Sequence, residues 1–207
     1  MLGVYNYTVI LTYIGMLTGF IGITYAMDGN IHGALVCLMV AGVCDMFDGK
    51  IASTKQDRTK QELRFGVQID SLSDLICFGA LPAVIVYATS GGKLHLIIPG
   101  LYLLCALIRL AWFNVDEEGR QEEDCERRVL YSGLPVTFAA VIFPVTVALC
   151  SSFGWKLSRF GPILMSLTAL AFVSPFQLRR PHLHSKAAFV ALGIVVLALI
   201  AFVEAHL

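Results

Sequence analysis

Charge is what this sequence has least of. Of its 207 residues only 14% are Asp, Glu, Lys or Arg, whereas 57% are hydrophobic and the mean hydropathy is +0.75. So few charges cannot clothe a soluble domain of this length, and the composition reads as one compact integral membrane domain spanning 1–207. Basic and acidic side chains balance at fifteen each and form no basic block, which excludes a nucleic-acid-binding surface. The six cysteines, at 37, 44, 77, 105, 125 and 150, include no C-x-x-C pair and no regular spacing. A disulfide framework is therefore excluded, and the cysteines read as packing residues in a reducing compartment. A charged n-region leading to an A-x-A-like site is also missing, so the first apolar stretch is expected to be a retained helix.

What is present is a series of apolar runs. Crossing about 30 Å of hydrocarbon takes about 20 helical residues. Seven runs meet or approach that length: 8–27, 31–49, 66–90, 94–115, 133–153, 159–176 and 186–204. The expected fold class is thus an all-α membrane bundle. Basic residues mark its orientation. Eleven of the fifteen lie in three loops: Lys50, Lys55, Arg58, Lys60 and Arg64; then Arg120, Arg127 and Arg128; then Arg179, Arg180 and Lys186. Lys93, Lys156 and Arg159 lie in the opposite loops, and Arg109 is intramembrane. The positive-inside rule places the N-terminus and the three polar loops in the cytoplasm, with Glu204 outside.

Four aspartates then stand out. Asp45 and Asp48, three apart near the cytoplasmic end of the second span, lie about 60° apart on one helix face. Asp70 and Asp74, four apart at the start of the third span, also share a face and reach similar depth on an antiparallel neighbour. Burying one carboxylate in a bilayer costs several kcal/mol, and four unpaired ones would repel one another. Arg109 alone cannot neutralise them. An all-oxygen donor set selects hard cations, Mg²⁺ or Mn²⁺ over Zn²⁺, and two ions about 4 Å apart account for the number of aspartates. Asp48-Gly49 is expected to end the second helix and Gly66 to open the third, where free amides would favour an anion such as diphosphate.

The segment Asp45-Met46-Phe47-Asp48-Gly49-Lys50-Ile51-Ala52, followed by Gly66-Val67-Gln68-Ile69-Asp70-Ser71-Leu72-Ser73-Asp74, resembles the CDP-alcohol phosphotransferase signature D-x2-D-G-x2-A-R-x8-G-x3-D-x3-D. Seven of the eight fixed residues are present. Phe65-Gly66-Val67-Gln68-Ile69-Asp70-Ser71-Leu72, Arg109-Leu110-Ala111-Trp112-Phe113-Asn114 and Gly133-Leu134-Pro135-Val136-Thr137 are similar to the phosphatidylserine synthase branch of that family. There are two departures. Ser53 stands where the signature has arginine, and twelve residues instead of eight separate it from Gly66. A serine supplies neither the charge nor the planar donor fork of an arginine, for which Lys50, Lys55 or Arg58 are the nearby substitutes.

The resemblance implies a six-helix catalytic core, a CDP-diacylglycerol donor arriving from the membrane lipid, L-serine arriving from the cytoplasm, and a homodimer. It implies Asp45, Asp48 and Asp70 as principal metal ligands, with Asp74 as general base and partial ligand. Asp48, Gly49, Ala52, Ser53 and Gly66 would border the nucleotide. Thr8 and Thr12 are candidates for the cytosine, against ordinary back-bonding within their helix. Arg109, six residues from the expected helix end, is a candidate for the serine carboxylate or lipid phosphate, against snorkelling toward headgroups or pairing with one of the aspartates. Asn114 is a candidate for the same role, against helix capping. Lys50 and Lys55 are further candidates for the acceptor or lipid phosphate. His182 and His184 read as an interfacial anchor, Pro135 and Pro144 as shaping the fifth helix, and Asp116 to Arg128 as a solvated mixed-charge loop. Competing readings are a relative using glycerol 3-phosphate or inositol phosphate, a divalent-metal transporter, which the absence of an internal repeat disfavours, and a non-catalytic paralogue.

Overall fold

A computed structural model describes residues 3–90, 96–122 and 130–179. The predicted span 186–204 lies outside the described residues, as do Lys93, Cys125, Arg127, Arg128, Arg180, His182, His184 and Glu204. The chain forms α1 (Tyr7–Met27), α2 (Ile31–Ala52), α3 (Lys60–Asp74), a π-helical segment (Leu75–Ala80) and α4 (Leu81–Ser90). Then come α5 (Ile97–Glu122), strand β1 (Leu130–Ser132), a 3₁₀ turn (Val136–Phe138), α6 (Ala139–Ser152), α7 (Leu157–Val173) and strand β2 (Gln177–Arg179). α3, the π segment and α4 run on as one 31-residue helix, Lys60–Ser90. That helix, α1, α2 and Ile97–Gly119 of α5 are long and apolar enough to cross a membrane, and Val136–Ser152 and Leu157–Val173 are shorter apolar helices. The described residues therefore form a predominantly helical, multi-pass membrane bundle with six principal helices. Its only described strands, β1 and β2, pair antiparallel with Leu130 opposite Arg179.

Local chemistry sets the helix starts. The Asn6 side chain caps α1 by accepting from the Thr8 amide at 3.1 Å, and Asn30 caps α2 through the Gly33 amide at 2.9 Å. α3 opens on a capping box: Thr59 accepts from the Glu62 amide at 3.1 Å, and Glu62 accepts from the Thr59 amide at 2.8 Å. This box corrects the expectation for Gly66, which does not open α3 but sits well inside it, its amide already in the helical ladder. Gly49 likewise lies inside α2, which continues to Ala52 and is capped by Ser53.

α1 packs closely on α2, α3, the π segment and α4. Its buried stripe is almost all small: Thr8, Thr12, Gly15, Gly19, Gly22 and Ala26. A Cβ at Gly19 would meet Cys77 Sγ at 2.6 Å, and one at Gly22 would meet Cys37 Cβ and Leu81 Cδ2 at 2.8 Å. The missing side chains let the backbones approach, as at small-residue interfaces between membrane helices. Beyond the small-residue stripe the core is large: Leu35, Leu38, Phe78, Ile85, Met165 and Phe172 are essentially inaccessible, as is Leu81, which packs on Gly22. Tyr102 stands among them, edge-on to Phe143 (ring centroids 5.7 Å apart) and tilted against Phe172 (5.3 Å). Outward faces of α1, α5 and α7 carry Ile14, Phe20, Leu104, Ile108, Leu167 and Leu170 exposed, as lipid contact requires.

Two other expectations are corrected. Residues 116–122 continue α5 instead of forming a loop, so Arg109 is thirteen residues from the helix end and not six. The fifth helix begins at Ala139, after the 3₁₀ turn, because Gly133 takes φ +78° and Pro135 is extended. Pro144 lies buried inside α6.

Candidate active site

The last turns of α2 present Asp45 and Asp48, and the last turn of α3 presents Asp70 and Asp74. Carboxylate oxygens of Asp45, Asp70 and Asp74 lie within 4.8 Å of one another. Asp48 joins them in lining a cavity of about 10 Å³, which Thr12, Gly15, Ser73 and Cys77 help to close. That space is of the size of a water or a bare ion. No Lys, Arg or His is among the residues lining it. An oxygen-only donor set, converging carboxylates and ion-sized room together fit a hard metal cation, so this cluster can hold a metal ion.

α1 fixes the carboxylates from the third side. Thr12 Oγ1 donates to Asp48 Oδ2 at 3.0 Å, both residues being buried. Ser73 Oγ donates to the Thr12 carbonyl at 3.4 Å, and Cys77 Sγ to the Gly15 carbonyl at 3.3 Å. Neither threonine named in the sequence reading back-bonds within α1: Thr12 is engaged with Asp48, and the Thr8 hydroxyl donates to the Asn6 side chain that caps the helix.

The π segment begins immediately after Asp74, and single π turns recur at functional sites. Pro82 cannot donate to the carbonyls four and five residues before it. The Phe78 carbonyl instead accepts from the buried Tyr102 hydroxyl at 2.6 Å, so α5 ties down the helix just beyond the carboxylates.

The other predicted residues divide into those near the cluster and those apart from it. Arg109 is buried, with its guanidinium carbon 5.8 Å from the centre of the Phe113 ring. A Cβ at Gly133 would come within 3.5 Å of its Nε and within 3.0 Å of the Phe172 and Ser174 carbonyls, so the glycine is required there. This burial corrects the snorkelling alternative. Arg109 is not among the residues lining the carboxylate cavity. Asn114 lies inside α5 and is not a cap: its Oδ1 accepts from Ser71 Oγ at 2.7 Å and its Nδ2 donates to Gln68 at 3.4 Å, joining α5 to α3 beside Asp70.

In the polar loop, Lys50 is exposed with its ammonium 5.6 Å from the centre of the Phe47 ring, and nothing lies within 4 Å of a Cβ built on Gly49. Ala52 is half-buried, and exposed Ser53 turns its hydroxyl to the Lys50 carbonyl at 2.7 Å. Lys55 pairs with Glu62 at 2.8 Å, a hydrogen bond that raises the lysine pKa above its ordinary value. Glu62 was not singled out from sequence, yet it also accepts from Asn6 Nδ2 at 2.8 Å and so joins α1, the loop and α3. Thr59-x-x-Glu62 is the readable signal for it. The Gly15-x3-Gly19 spacing is the corresponding signal for the α1 stripe.

The CDP-alcohol phosphatidyltransferase family model matches residues 5–201. Among curated relatives, the CDP-diacylglycerol–serine O-phosphatidyltransferase of Mycobacterium leprae is 30% identical over 193 residues, covering 88% of this chain and 62% of that protein. The archaetidylserine synthase of Methanothermobacter thermautotrophicus is 31% identical, covering 64% of this chain and 53% of that protein. The Bacillus subtilis CDP-diacylglycerol–serine O-phosphatidyltransferase is 25% identical, covering 88% of this chain and 94% of that protein. The chain thus spans less than two thirds of the mycobacterial and archaeal relatives. With the signature aspartates gathered on α2 and α3 and the family model matched along nearly the whole sequence, the chain belongs to the CDP-alcohol phosphatidyltransferase family.

Proposed function

We propose that this protein transfers the phosphatidyl group of CDP-diacylglycerol to L-serine, giving phosphatidylserine and CMP. The observation that carries the reading is the convergence of Asp45, Asp70 and Asp74 within 4.8 Å, with Asp48 on the same cavity, at the spacing of the family signature. The names of the mycobacterial and Bacillus relatives supply the donor and the acceptor.

In this reading Asp45, Asp48, Asp70 and Asp74 hold two Mg²⁺ or Mn²⁺ ions. The bound metal would neutralise phosphoryl oxygens and the charge that builds on departing CMP. Thr12 keeps the Asp48 carboxylate oriented for that task. The serine hydroxyl attacks the phosphatidyl phosphorus, a new P–O bond forms, and the bond from that phosphorus to CMP breaks. Asp74 takes the hydroxyl proton as general base. Gly49, Ala52, Ser53 and Gly66 border the nucleotide, with Thr8 and Thr12 on its α1 side. Arg109 and Asn114 serve the acceptor or lipid phosphate, as do Lys50 and Lys55. The basic loops support a cytoplasmic-membrane location with the site facing the cytoplasm. One catalytic domain and a homodimeric assembly complete the proposal.

The test is CMP release by purified protein given CDP-diacylglycerol, Mg²⁺ or Mn²⁺, and serine, glycerol 3-phosphate or inositol phosphate in turn. Serine-dependent CMP release is expected. No CMP with any acceptor would refute the transferase reading, and release only with a phosphorylated acceptor would reassign the substrate.

A further inference from the structure

We propose that Arg58 is the phosphate-binding cation of this site, standing in for the arginine that the signature places at position 53; the inference rests on the CDP-linked donor proposed above.

Four observations converge on it. Ser53 caps α2 with its hydroxyl folded onto the Lys50 carbonyl, so position 53 carries no cation and points none at the site. Lys55 is held beside Glu62 at 2.8 Å and Lys50 lies exposed against the Phe47 ring, so neither is placed over the signature glycine. Arg58 is different. Its Nη2 lies 2.7 Å from where a Cβ on Gly66 would be, so the guanidinium rests over the bare backbone of the signature glycine. Nη2 makes one long hydrogen bond, 3.3 Å to the Glu62 carbonyl, and the buried Nε has no partner at all.

A buried guanidinium N–H without an acceptor is costly unless something else accepts from it. Gly66 and Asp70 are four residues apart, hence about 6 Å apart along α3 and on the same face. The guanidinium is thus stationed about one helical turn above a carboxylate of the cluster, on the side toward the polar loop. A diphosphate anchored at the cluster would extend that way. The planar fork of arginine can take two of its oxygens at once, which a lysine cannot. Gly66 acquires a specific reason in this arrangement: any side chain there would push the guanidinium off its seat.

The test is binding, read by calorimetry on detergent-purified, full-length protein with Mg²⁺ present and CDP as the probe. Arg58→Ala should weaken CDP binding at least tenfold while its melting temperature stays at the wild-type value, and Arg58→Lys should recover only part of the loss. Adding Ser53→Arg to Arg58→Ala should restore affinity. Unchanged CDP affinity in folded Arg58→Ala would overturn the assignment; a folded double variant with no recovery would overturn the equivalence of the two positions. Wild-type protein that binds CDP through Arg58 yet releases no CMP with any acceptor would retire the transfer reading and keep the arginine. Turnover with CDP binding indifferent to Arg58 would do the reverse. Protein that neither binds CDP nor turns over would end both.

Discussion

Replacing Gly19 by alanine should loosen the joint between α1 and the helix that carries Asp70 and Asp74. The new methyl carbon would lie 2.6 Å from Cys77 Sγ and 3.2 Å from Cys77 Cα. A carbon–sulfur contact is comfortable only about 1 Å farther out, and the Cα is backbone that cannot swing away. Overpacking of this kind costs about 1–3 kcal/mol. At about 2–4 °C per kcal/mol for a chain of this size, the melting midpoint should fall by about 2–12 °C. The loss reaches the site as well, because Cys77 is one turn beyond Ser73, and both bond carbonyls of α1 at the level of Thr12 and Gly15. Mn²⁺ affinity should therefore fall together with the midpoint. Cys77→Ala in the same chain removes the sulfur and should return part of both losses, the remaining contact being with Cα. The assay is a double-mutant cycle in detergent, read by thermal unfolding and by Mn²⁺ titration. A midpoint unchanged by Gly19→Ala, or losses that simply add in the double variant, would refute the close-packing account.

Thr12→Val keeps the shape of the side chain and removes the donor to Asp48, a charge-assisted bond of about 1.5–3 kcal/mol; Mn²⁺ titration should show about a 10- to 150-fold loss of affinity, and equal affinity would show the hydroxyl to be idle. Asp74→Asn should abolish CMP release while leaving most Mn²⁺ binding in place, and near-normal turnover would remove Asp74 as the base. Tyr102→Phe leaves the buried Phe78 carbonyl without its 2.6 Å donor, and thermal unfolding should report a loss of about 1–3 kcal/mol with metal affinity little changed; an unaltered midpoint would mean that Phe78 finds another donor.

The carboxylates were readable from sequence because their signal is electrostatic and local. Four aspartates at matched helical spacing in an apolar chain call for a common cation whatever the fold around them; Asp45, Asp70 and Asp74 do converge, with Asp48 on the same cavity. The helix order was readable because hydrophobic length is the main constraint a bilayer imposes. What escaped was mostly polar and short-range. Thr59 and Glu62 form a capping box in a stretch too charged to resemble a span, so α3 starts a turn and a half before the apolar run does. Asp116 to Glu122 extend α5 past the hydrophobic boundary for a similar reason: helical hydrogen bonding does not stop where apolarity stops. The glycine stripe of α1 escaped because small residues leave almost no mark in hydropathy, although they decide how near two membrane helices come.

The lengthened stretch between Ser53 and Gly66 shows why such an insertion leaves the metal cluster intact. Of the twelve residues between them, six form the loop 54–59 and six the opening of α3, 60–65. Gly66, Asp70 and Asp74 lie on one face of one helix, and Asp45 and Asp48 lie on another, so residues added between Ser53 and Gly66 fall outside the segments that carry the carboxylates. The signature expects four residues fewer in this stretch. The longer stretch matters chemically. It carries the Thr59–Glu62 box that fixes the loop, and the fixed loop holds Arg58 over Gly66 at the same time as the signature arginine is missing from position 53. If Arg58 holds the phosphate as proposed, the two departures from the signature are one change: a cation lost from the end of α2 and regained from the loop that leads into α3.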